Sequence, residues 1–213
     1  MKKVGIIGSG NVGQALARGF LDKGYPTTLS SRSEEKRKEL EAEIQGVVTD
    51  SPLNTARNNE LIVFAIKGSE AKRAISEIGP ENLSGKTVID TTNPIAETPP
   101  VNGVLVYFTD INKSLMEELQ DAAPGAKFVK AFSCIGSPFM VNPPFQPVPT
   151  MFICGDDEEA KGEVTGLLKQ FGWETEDMGG VESARAIEPL AMLWCLPGFR
   201  KNSWTHGLKL LKL

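Results

Sequence analysis

Short runs of consecutive apolar residues recur along this chain, separated by longer stretches whose apolar positions return every three or four residues. The first kind suits strands buried on both faces, and the second suits helices laid against them. Strands are therefore expected at residues 4–7, 26–30, 46–49, 61–66, 87–90, 127–132, 150–154 and 173–177. Helices are expected at residues 14–23, 33–44, 51–57, 69–78, 113–122 and 157–171. A last apolar helix is expected at residues 184–194, with Pro197-Gly198 ending it. Regular alternation of strand and helix predicts an α/β fold with a mostly parallel sheet.

The first strand runs into Gly8-Ser9-Gly10-Asn11-Val12-Gly13. In this spacing Gly8 permits a tight turn out of the strand, Gly10 lets backbone approach a pyrophosphate, and Gly13 lets the next helix pack close to the sheet. The free N–H groups of that helix would face the phosphates. The second strand ends in Ser30-Ser31-Arg32, with no Asp or Glu. A carboxylate there would bind a ribose 2′-OH, whereas Arg32 offers a planar fork of donors to a 2′-phosphate. Ser30, Ser31 and Ser33 add hydroxyls, and Lys36 is close enough in sequence to reach the same anion. NADP(H) is the expected dinucleotide. Ser33 followed by Glu34 and Glu35 also reads as an ordinary helix cap with acids in the first turn.

The 213 residues suffice for one α/β domain, or one with a small appendage. A formal charge of −4 offers no general attraction to nucleic acid or to an anionic membrane. The longest apolar runs are too short to span a bilayer. The chain enters its first strand almost at once, leaving no room for a signal peptide. Cys134, Cys154 and Cys195 are widely spaced, which fits reduced thiols in a cytoplasmic protein and gives no metal-binding pattern. Asp156, Asp157, Glu158 and Glu159 read as helix capping and not as a metal cluster.

Gly8-Ser-Gly-Asn-Val-Gly13, Ser31-Arg32, Asn93-Pro94, Val129-Lys-Ala-Phe132 and Glu188-Pro-Leu-Ala-Met-Leu-Trp194 together resemble the NADP-dependent F420 oxidoreductase family. That family also supplies the cytoplasmic reductase domain of the STEAP membrane metalloreductases. The resemblance implies a Rossmann-type doubly wound fold, with residues 1–150 binding NADP and residues 151–213 forming a small C-terminal lobe. It implies a homodimer, and hydride exchange with a small-molecule electron acceptor, a flavin or F420, stacked on the nicotinamide. It assigns the phosphate turn to Ser9, Asn11 and Val12, and the 2′-phosphate to Ser31, Arg32 and Lys36. It puts Ile66, Lys67, Asn93, Pro94 and Ala131 along the nicotinamide side. The chain departs from the family pattern at Ser133-Cys134, where Asn or His followed by Thr is frequent, and it lacks a longer closing segment after His206.

Familiar acid–base machinery is missing. His206, the only histidine, lies in the C-terminal tail, and neither Tyr25 nor Tyr107 has a Lys four residues later. Hydride transfer between two stacked rings needs positioning more than a proton donor, so no side chain is assigned a catalytic role. Cys134 reads as a small buried residue. Two proline-rich loops, residues 93–100 and 138–149, follow strand ends and are candidates either to wall an apolar pocket or to serve as plain connections. The apolar helix with Trp194 is expected at a subunit junction, the alternative being that it completes the core of the single chain.

Overall fold

The computed structural model describes residues 1–213. Strands β1 (Val4–Ile7), β2 (Thr27–Ser30), β3 (Val48–Asp50), β4 (Leu61–Phe64), β5 (Thr87–Asp90) and β6 (Lys127–Lys130) form one parallel sheet in the order β3-β2-β1-β4-β5-β6. This is the doubly wound Rossmann order, which reverses direction between β1 and β4 and opens a crevice at their carboxyl ends. Helices α1 (Asn11–Asp22), α2 (Glu34–Glu43), α3 (Pro52–Asn58), α4 (Gly68–Ile78) and α5 (Leu115–Ala122) make the connections. Ser33, Ser51 and Ser114 cap α2, α3 and α5 through their side chains. The register sets Phe64 opposite Asp90 and Asp90 opposite Lys130.

Beyond β6, strands β7 (Thr150–Ile153) and β8 (Glu174–Asp177) pair in parallel around α6 (Glu158–Gln170). Asp157 caps α6 by accepting from Ala160 N at 2.8 Å, as the capping reading expects. A single antiparallel bridge, Lys130 to Cys154, ties this unit to the main sheet. One continuous core runs from Val4 and Ile6 through Leu167 and Phe171 to Trp194. Residues on both sides of position 150 thus share one interior.

Two expected strands end early. β4 stops at Phe64, and β6 stops at Lys130 because Phe132 takes a left-handed backbone with φ of 61°. That conformation is uncommon for an aromatic residue and cannot continue a strand.

The final helix differs more. A short α7 (Ala184–Ile187) precedes α8 (Pro189–Lys201), which runs straight past Pro197 and ends at Asn202 with φ of 51°. Pro197 removes one bond to the Leu193 carbonyl, and Leu193 is exposed, so water can replace it. The helix continues because Trp204 folds back onto Gly198 and stacks edge-on against Phe199 at 5.2 Å. Trp194 is buried within the chain, its Nε1 donating to His206 O at 2.9 Å, so it is unavailable as an exposed interface anchor.

The second proline-rich loop is a packed connection. Met140 is buried, its carbonyl accepts from Trp173 Nε1 at 2.8 Å, and Val141 fills the space left by the missing side chain of Gly19.

The α5 start carries a titratable clamp. Glu117 accepts from Arg185 Nε at 3.0 Å and from Ser114 N at 2.7 Å. The hydrogen bond from Arg185 holds its carboxyl down at about 2, against 4.5 ordinarily. A depressed folded-state pKa stabilises the fold above the unfolded value and is lost as pH falls toward 2. Urea unfolding midpoints should therefore drop between pH 4.5 and pH 2, and Glu117→Gln should flatten part of that drop.

Candidate functional site

Gly8 begins the site. Its φ is 117°, and a Cβ there would collide with the Ala65 carbonyl. A Cβ on Gly13 would collide with the Gly8 carbonyl, so α1 reaches the sheet only through glycine. Gly10 differs, since nothing lies within 4 Å of where its Cβ would stand. It faces open space. The N-terminus of α1 has no side-chain cap and no acid in its first turn, which leaves the N–H groups around Asn11 and Val12 without a side-chain partner. The turn itself is held from outside: Gly8 N donates to Ser30 Oγ at 3.1 Å, and Gln14 Nε2 donates to Ser9 O at 3.0 Å.

A cleft of about 480 Å³ opens at this turn. It joins Gly8, Ser9 and Gly10 to Ser31, Arg32 and Lys36 at the end of β2, and to Ile66 and Lys67 after β4. Ser30 Oγ accepts from Gly8 N and Ser33 Oγ accepts from Lys36 N, so both oxygens are engaged within the protein and each hydroxyl keeps only its hydrogen to offer. Glu34 and Glu35 do not line the cleft. Four cationic side chains, Arg32, Lys36, Lys67 and Arg73, face two acidic ones, Glu70 and Glu77. Arg32 is exposed, with Nη2 3.9 Å from Glu70 Oε2. Glu70 also pairs with Arg73, whose Nη1 lies 3.3 Å from Glu77. Lys36 Nζ sits 2.8 Å from Glu39, which raises its pKa.

Glu70, Arg73, Ala74 and Glu77 were not among the expected residues. Their spacing of three, four and seven marks one face of α4, so the signal was present. What the sequence hides is that this face borders the cleft.

The remaining expected residues lie further along the strand ends. Asn93 follows β5, and its carbonyl packs so tightly on Gly68 that any side chain there would clash. This holds Asn93 beside Ile66 and Lys67. Asn93 Nδ2 donates to Ser133 O at 2.8 Å, while its Oδ1 is buried without a partner. Pro94 is buried, and Ala131 is fully buried in the core. Ala131 presents no side chain to the cleft. Burial pushes the Cys134 thiol up to about 12, which makes it an inert core residue. Tyr107 donates to Glu188 O at 2.7 Å, and burial raises its pKa, so it stays protonated.

A glycine turn that only a flat or extended ligand can enter, an uncapped helix start and a cationic strand end fit a phosphorylated dinucleotide. An unpartnered amide oxygen beside the first turn of α4 fits a polar ring substituent at the other end.

Comparison with known proteins agrees with that chemistry. Residues 3–94 match the family model described as NADP oxidoreductase, coenzyme F420-dependent. The F420-dependent NADP reductase of Methanocaldococcus jannaschii is 25% identical, covering 99% of each chain. The metalloreductase STEAP3 of Rattus norvegicus is 27% identical over 92% of this chain, which spans only 38% of that protein's length. A crystal structure from Arthrobacter sp. FB24, provisionally assigned as an F420-dependent NADP-reductase, superposes with a TM-score of 0.93 at 26% identity over the whole of both chains. The similarity to coenzyme F420-dependent NADP oxidoreductases thus rests on residues 3–94 for the family model and extends along nearly the whole chain for the archaeal reductase.

Proposed function

We propose that this protein is an NADP(H)-dependent oxidoreductase that exchanges hydride with a flavin or F420-like deazaflavin as second substrate. The observation that carries this reading is the meeting, in one cleft, of the open face of Gly10 and the cations of the β2 end. In this reading the backbone of Ser9, Asn11 and Val12 binds the pyrophosphate. Ser31, Arg32 and Lys36 grip the 2′-phosphate, and Ile66, Lys67 and Asn93 border the nicotinamide, with buried Pro94 and Ala131 packed behind them. Bound NADPH supplies a hydride, two electrons and a proton nucleus together. The chain's task is then to hold two rings at roughly 3–3.5 Å and exclude water. The buried, protonated states of Tyr107 and Cys134 accord with chemistry that asks no side chain to titrate.

Cofactor choice tests the cleft. Arg32→Ala should weaken NADPH by about 1.5–3 kcal/mol and leave NADH nearly unchanged in fluorescence titrations, as loss of a charged hydrogen-bond partner predicts. Gly10→Val should fold normally, because its Cβ meets nothing, yet lose both dinucleotides. Equal losses of NADPH and NADH in Arg32→Ala would refute the 2′-phosphate grip.

Turnover tests the reaction. NADPH oxidation should proceed with at least one of F420, FMN, FAD or a flavin-coupled ferric chelate. Tight NADPH binding with no turnover on any of them would replace this reading with an NADP(H) sensor.

We also propose a homodimer, formed through exposed apolar residues. Val101, Val104, Phe108 and Ile111 stand exposed on the loop after β5, and Leu193 and Phe199 stand exposed on α8. Gly103 packs on Phe199 and Arg200, which brings the turn between Val101 and Val104 against the C-terminal half of α8. Sedimentation at micromolar concentration should give twice the 23.1 kDa chain mass. Leu193→Asp should halve it, and a monomeric unaltered protein would remove the dimer.

A further inference from the structure

Asp90, Lys130 and Glu188 meet inside the protein, outside the cleft. Lys130 Nζ lies 2.6 Å from Asp90 Oδ2 and 2.9 Å from Glu188 Oε1, and it donates to Thr92 O at 2.9 Å. Asp90 and Lys130 are 0% exposed and Glu188 is 2% exposed, so water screens none of them. Asp90 Oδ1 accepts from Thr92 N at 2.9 Å and from Thr92 Oγ1 at 2.7 Å. Glu188 Oε2 accepts from Leu115 N and Oε1 from Met116 N, each at 3.0 Å. Asp90 Oδ1 and both Glu188 oxygens accept from N–H or O–H donors, and Asp90 Oδ2 faces the Lys130 ammonium alone. Two carboxylates and one ammonium therefore carry one net negative charge. The N-terminus of α5 offsets part of it, and the neighbouring Glu117–Arg185 pair is neutral as a pair.

That charge lies one residue from two of the positions assigned to the nicotinamide side. Lys130 immediately precedes Ala131, and Thr92, which Lys130 and Asp90 both grip, immediately precedes Asn93. An oxidised nicotinamide ring is a cation and a reduced one is neutral, so a buried anionic group distinguishes them.

We propose that Asp90, Lys130 and Glu188 form a buried anionic triad that poises the bound nicotinamide toward its oxidised, cationic form. The inference rests on the NADP(H) reading above. The triad takes no part in the transfer itself. The hydride and its electron pair still leave for the second substrate, and the triad alters only the relative stability of the two bound forms. At an effective dielectric near 20, a unit charge about 10 Å from such a ring would move the equilibrium roughly tenfold.

The test is the ratio of NADP+ to NADPH dissociation constants, measured by calorimetry on the full chain, with 2′,5′-ADP as a reference that lacks the nicotinamide. Glu188→Gln should weaken NADP+ relative to NADPH about tenfold, a rise of about 30 mV in the potential of the bound two-electron couple. Asp90→Asn should shift the ratio the same way, and 2′,5′-ADP should bind both variants as it binds the unaltered protein. An unchanged ratio with intact 2′,5′-ADP binding overturns the inference and leaves the NADP(H) reading standing. Equal weakening of all three ligands overturns it too, as does loss of folding in both variants, which would make the triad a structural device. Failure of the unaltered protein to bind NADPH removes both the reading and the inference.

Discussion

A lysine with no exposed surface is the constraint around which this fold closes. Leaving an ammonium unpaired in the interior costs several kcal/mol, so Lys130 can be buried only where carboxylates meet it. Burial opposes its charge, yet Asp90 and Glu188 outweigh burial and hold its pKa above the ordinary value. The β5–β6 register brings Asp90 alongside without further help. Glu188 must come from far along the chain. Its carboxylate also satisfies the first two N–H groups of α5, so the starts of α5 and α8 are fixed together. The docking of the C-terminal segment on the sheet is in this sense an electrostatic requirement as well as an apolar one.

The cleft obeys the opposite rule. Its ion pairs are exposed, and exposed pairs are worth at most about 1 kcal/mol each. Arg32 is therefore held only weakly by Glu70 and can exchange it for a stronger partner at little cost. A phosphate that accepts two parallel hydrogen bonds is such a partner. Strong pairing is confined to the interior, where it fixes positions, and weak pairing to the cleft, where a ligand must compete. Gly8 and Gly13 supply the rigid part of the site through close approach, and Ser30 ties that part to β2 from below.

The strands and most helices were legible because each depends on local pattern: apolar runs for β1 and β4, a Ser cap for α2. The glycine turn and Arg32 were legible because close backbone approach and anion binding demand particular residue types at fixed spacing. Other features have no local signature. Nothing around Lys130 announces that its neighbours across the sheet and from α8 are acids. The left-handed turn at Phe132 is imposed by packing and not by residue type. Pro197 looked like a stop because local chemistry says so. It is overruled by Trp204, which packs on the far side of Gly198 from a tail that no periodicity predicts. The face of α4 was readable as a polar stripe, but its place beside Arg32 follows only from the sheet order.

Helix α8 brings these regimes together. Its N-cap, Glu188, is pinned in the charged interior, its middle residue Trp194 is pinned by reciprocal bonds with His206, and its outer residues Leu193 and Phe199 face outward. Lys130, paired with Glu188 at the near end of this helix, in turn holds Thr92 beside Asn93. One helix therefore carries a charged anchor, an aromatic anchor and an outward apolar edge, and no residue of that edge lines the cleft.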